Sequence, residues 1–103
     1  MAGARAEHSA VELQILVVRS GGFAGLTQRW SVDERDPADD WIALVEACPW
    51  DAVGEDPASR DRFVWRIEAR MARRHREASV PDSLLTGPWR DLVERVQKDG
   101  TGA

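Results

Sequence analysis

From Glu12 to Arg19 the chain is an almost unbroken run of Ile, Val and Leu with polar residues only at its margins. That predicts a strand buried over most of its length. Ser20-Gly21-Gly22-Phe23-Ala24-Gly25 follows, and its three glycines predict a chain reversal. Leu26 to Asp33 then alternates, with Leu26, Gln28, Trp30 and Val32 on one side and Thr27, Arg29, Ser31 and Asp33 on the other. This is the pattern of a strand with one wet face.

Asp36-Pro37 predicts a helix start, with Asp at the N-cap, Pro at the first helical position and Asp39 and Asp40 against the positive end of the dipole. Trp41, Leu44, Val45 and Cys48 recur at core-facing helical spacing until Pro49 stops the run, and residues Trp50 to Asp61 have no period and predict a loop. Phe63, Trp65, Ile67, Ala69 and Met71 then share one strand face, opposite Arg66, Glu68 and Arg70. Arg74 to Val80 has only Ala78 and Val80 as apolar positions and predicts a short edge strand blunted by charge. Beyond the breakers Val80-Pro81-Asp82-Ser83 and Thr86-Gly87-Pro88, the stripe Trp89, Leu92, Val93 and Val96 predicts a second helix.

The predicted order is ββαββα, an α+β fold with a four-stranded antiparallel sheet and two helices on one face. Residues 11–98 form the predicted domain, between a flexible arm at 1–10 and a flexible tail at 99–103. If each helix runs antiparallel to the strand before it, three loops share one edge of the sheet: Ser20 to Gly25, Pro49 to Asp61 and Pro81 to Pro88.

Composition narrows the function classes. The 103 residues are 43% apolar and 31% charged, enough to bury one core and keep a wet surface. A formal net charge of -4 counts against general binding to nucleic acid or anionic membranes. Apolar runs such as Ile15 to Val18 are far too short to cross a membrane, and the start MAGARAEHSA has no apolar signal region. The single cysteine, Cys48, needs no oxidising compartment, so a cytoplasmic protein is expected. Two His and one Cys assemble no nucleophile and base pair, and no HExxH or CxxC spacing is present. Neither catalytic nor metal-binding residues, and no cofactor, are expected. Seven arginines between Arg60 and Arg76 form a candidate phosphate-gripping stripe, and an adaptor binding nucleic acid or protein through it is the alternative reading.

The glycine turn admits two readings. Phe23 either folds back on its own sheet or stands out as an apolar anchor whose flanking glycines let backbone approach another molecule. Composition does not separate the two.

VRSGGFAGL at Val18 to Leu26, the strand and helix order, and Val80-Pro81 leading to a helix with Leu92-Val93 resemble the emfourin family. These are bacterial, cytoplasmic protein inhibitors of protealysin-type, thermolysin-like metalloproteases. The resemblance covers residues 12 to 97 and is sharpest over Arg19 to Gly25. It implies a partner protease whose cleft is blocked by the glycine-rich turn and neighbouring loops. The protease-binding residues it implies are Arg19, Ser20, Gly21, Gly22, Phe23, Ala24, Gly25 and Leu26, and the clustering of the three loops at one edge adds Trp50 as a flanking contact.

Overall fold

A computed structural model of the chain describes residues 12–21, 27–35, 39–54, 63–71 and 74–102. Its strands are β1 (Leu13–Gly21), β2 (Gln28–Glu34), β3 (Phe63–Met71), β4 (Arg74–Pro81) and β5 (Thr101–Gly102). The helices are α1 (Asp39–Ala47) and α2 (Pro88–Asp99), and a 3-10 turn spans Asp82–Leu84. The predicted arm at 1–10 and the predicted cap at Asp36-Pro37 lie outside the described residues.

The strands form one antiparallel sheet in the order β4-β3-β1-β2-β5. β1, the most apolar strand, lies in the middle, which suits a segment whose backbone is hydrogen-bonded on both sides. The arginine-rich β4 lies at one edge, where unpaired backbone groups face water and charge discourages pairing with another chain.

Cross-strand register sorts the side chains by face. Ile15 pairs with Val32 and Ala69, Val17 with Trp30 and Ile67, and Trp65 with Val80. These residues, with Leu13, line the covered face. The buried stripes of α1 (Trp41, Val45) and α2 (Trp89, Leu92, Val93, Val96) join them in one core. Burial of such side chains, at about 1.5–3 kcal/mol each before chain entropy is counted, drives the layers together. The open face carries Gln14, Arg66, Glu68, Arg70, His75 and Glu77.

An ionic latch holds the helices to each other. Arg95 of α2 reaches Asp40 of α1 at 2.7 Å, also pairs with Asp99, and lies 4.5 Å from the centre of the Trp41 ring.

Two expectations need correction. The sheet has five strands instead of four, and the element order ends in a strand. The fifth strand lies at residues 101–102: Asp99 closes α2, and Thr101 and Gly102 pair with Ser31 and Trp30. The pairing depends on Gly100, where a Cβ would strike the carbonyl oxygens of Ser31 and Val96. Only glycine lets the chain leave the helix so close to β2.

Candidate functional site

Register also fixes which connections lie together. Gly21 pairs with Phe63, and Val64 with Pro81, so the end of β1, the start of β3 and the end of β4 meet at one edge. The glycine-rich turn, the connection entering β3 and the one leaving β4 all depart from there. The opposite edge holds Leu13, Glu34, Met71 and Arg74.

Of the expected site residues, Arg19, Ser20 and Gly21 are described, and Gly22, Phe23, Ala24, Gly25 and Leu26 lie outside the described residues. Gly21, the last residue of β1, has φ 100°, a backbone conformation that side chains with a Cβ resist, which suits glycine at this position.

Arg19 is the central group of this edge. Its guanidinium carbon lies 4.4 Å from the ring centre of Phe63, 5.5 Å from Trp65 and 5.8 Å from Trp30. Ring quadrupoles attract a cation at these distances. The rings are themselves fixed: Trp30 and Trp65 stack at 6.0 Å between centres, and Trp65 Nε1 donates a 2.8 Å hydrogen bond to Asp82 Oδ1. Among the described residues no carboxylate pairs with Arg19. Its cross-strand neighbour Gln28 has a buried Oε1 that accepts no hydrogen bond from a described residue.

Sequence reading found Arg19 but assigned Trp30, Phe63 and Trp65 only to the dry faces of their strands. The missing fact was that β1 lies between β2 and β3. Once that order is known, alternation alone brings Arg19 level with Gln28 and Trp65 on one face.

Trp50, the expected flanking contact, is largely enclosed. It is 8% exposed, its Nε1 donates a 2.8 Å bond to the Val45 carbonyl, and its ring meets Trp89 edge to face at 4.9 Å. The ring is core, and it leaves little surface for a partner.

The chemistry elsewhere is muted. The Cys48 thiol lies 3.3 Å from the Leu44 carbonyl oxygen and 3.6 Å from that of Pro88, and burial, aided by the charge of Asp91, pushes its pKa up to about 12. At neutral pH it is a protonated, inert thiol. The arginine stripe is divided: Arg66 and Arg70 face outward, Arg74 and Arg76 share the face of Met71 and Ala69, and Arg60, Arg62 and Arg73 lie outside the described residues. Arg66 pairs with Glu77 at 3.2 Å and Glu68 at 3.8 Å, and Arg74 with Glu46 at 3.8 Å. Glu68, His75 and Glu77 bring three possible ligand atoms together on the open face, but both carboxylates already serve Arg66, and His75 Nε2 lies 3.5 Å from Glu68. The cluster is a surface ion-pair ladder. No helix among the described residues is long and apolar enough to cross a membrane.

Comparison with known proteins gives one match. The family model described as Emfourin matches residues 17–97, a span that begins in β1 and ends in α2. No curated protein and no solved structure matches the chain.

Proposed function

Because the chain belongs to the Emfourin family, a family of protease inhibitors, we propose that it inhibits a thermolysin-like zinc metalloprotease by seating its loop-bearing edge in the enzyme's cleft. Inhibition of this kind needs no chemistry from the inhibitor, only a rigid frame that holds a loop in its bound shape and so lowers the ordering cost of association. The observation that carries the reading is the anchorage of the turn. The central strand ends at Gly21, which has φ 100°, two residues after Arg19, whose guanidinium is held among three rings.

The turn Arg19 to Leu26 forms the centre of the proposed contact. Connections from β4 and into β3 enlarge the surface, since one short turn does not reach the ~800 Å² per partner of a standard interface. A catalytic zinc keeps a coordination position open for water or substrate, and these proteases favour a large apolar residue beside the scissile bond, a role for Phe23 or Leu26. A cytoplasmic setting in a bacterium belongs to the same proposal.

Titration of a purified thermolysin-like protease tests the proposal. The chain is expected to inhibit with a defined stoichiometry, and Phe23→Ala to lose ~2 kcal/mol or more of inhibitory free energy while remaining folded, as the loss of a buried aromatic anchor does. Absence of inhibition across several such proteases would reject the family role for this chain. Full inhibition by Phe23→Ala would move the contact away from the turn.

A further inference from the structure

We infer that Arg19 is a charge-specific recognition residue that receives a carboxylate of the protease at the base of the inhibitory turn. The inference rests on the proposed function and assigns a chemistry to one part of its site.

A guanidinium has two flat faces and an edge of five N–H donors. Three rings within 5.8 Å surround that of Arg19, and two of them, Trp30 and Trp65, are locked by their own stack and by the bond to Asp82. Ring contacts favour the cation but accept no conventional in-plane hydrogen bonds, so the donor edge keeps its capacity. The contrast with Arg95 is direct, because that side chain also lies over a tryptophan but meets two carboxylates of its own chain. Arg19 has the ring support without a described carboxylate. Beside it, Gln28 Oε1 also lacks a hydrogen-bond partner among the described residues, so two polar groups without a described polar partner adjoin the turn.

A planar fork set among rings matches a planar acceptor, and a carboxylate takes two parallel N–H bonds from it. Side-chain freedom is already restricted by the rings, so less entropy is lost on contact than for a free surface arginine. A carboxylate is favoured over a nucleic-acid phosphate because the shelf faces away from Arg66 and Arg70 on the open face, and a single guanidinium among the described residues of the shelf does not make a phosphate track.

The test compares the unmodified chain, Arg19→Lys and Arg19→Met as inhibitors of one thermolysin-like protease over a salt series. Methionine keeps contact with the rings without the charge, and lysine keeps the charge without the fork. Circular dichroism and urea unfolding accompany each titration. The expected result is inhibition weakened at least ~10-fold in Arg19→Met and by a smaller factor in Arg19→Lys, with a steep salt dependence in the unmodified chain that flattens in Arg19→Met. A purely structural arginine would lower stability and leave the salt slope unchanged, and that outcome overturns the inference. Equal inhibition by all three chains also overturns it while the inhibitor reading stands. Failure of the unmodified chain to inhibit rejects both. Binding of a nonspecific DNA duplex lost in Arg19→Met would replace carboxylate recognition with phosphate recognition.

Discussion

The molecule has two tryptophan clusters, and they do different things with the same side chain. Trp50 and Trp89 meet edge to face where α1 ends and α2 begins; both are buried, and the Trp50 N–H is satisfied by a backbone carbonyl. Trp30 and Trp65 stack at the end of the sheet, where only Trp65 is buried and the rings hold Arg19 at the margin of solvent. The first pair closes an apolar core. The second uses apolar area to position a cation. Tryptophan content therefore does not locate a functional surface; what its ring is packed against does.

The sharpest way to break that contrast is truncation. Trp89→Ala is expected to cost about 3–5 kcal/mol of unfolding free energy in urea titrations, as large aromatic deletions from a core do, whereas Trp30→Ala should cost less than half of that. If the two substitutions cost the same, the sheet-end cluster is as structural as the helical one. A smaller effect is expected at the backbone. Gly21→Ala places a Cβ on a residue with φ 100°, a strain of about 1–2 kcal/mol. Inhibition should fall by more than stability does, because the turn's exit direction changes, and equal losses would reduce Gly21 to a connector.

The latch at the far end of the helices gives the smallest effect and a pH signature. The hydrogen bond from Arg95, reinforced by its charge, holds the Asp40 carboxyl below its usual range despite partial desolvation. A depressed folded-state pKa contributes stability above the unfolded-state value, and the contribution is lost as pH falls through the folded-state value. The melting-temperature gap between the unmodified chain and Asp40→Asn should be small and constant at neutral pH and should close under acid. A gap that persists below the ordinary carboxylate range would assign the effect to packing.

The helical stripes were legible because Trp41, Val45, Trp89, Leu92, Val93 and Val96 repeat at a spacing that only a helix brings to one side, and all six are buried. The alternation of Phe63 to Met71 was legible for the same reason with a period of two. β5 was not, since two residues carry no period, and their pairing is decided by the close approach that Gly100 permits. The burial of Trp50 was not legible, since it stands among breakers outside any periodic run, and the turn after α1 folds its ring back onto Trp89. In the expected site, Arg19 to Gly21 carried a local signature, while the ring shelf came from the order of strands far apart in the chain.

If the turn inhibits as proposed, the shelf makes that activity depend on the joining of two hairpins. Arg19 and Trp30 belong to the β1–β2 hairpin, whereas Phe63 and Trp65 belong to the β3–β4 hairpin. Each hairpin pairs neighbouring segments, but joining β1 to β3 closes a stretch of chain that contains all of α1, an entropic cost met only when the whole sheet assembles. A chain with both hairpins formed but undocked would display its turn beside an Arg19 that lacks the Phe63 and Trp65 rings. Inhibitory strength is then a gauge of complete assembly, and substitutions along the β1–β3 seam can silence the molecule while its local structure survives.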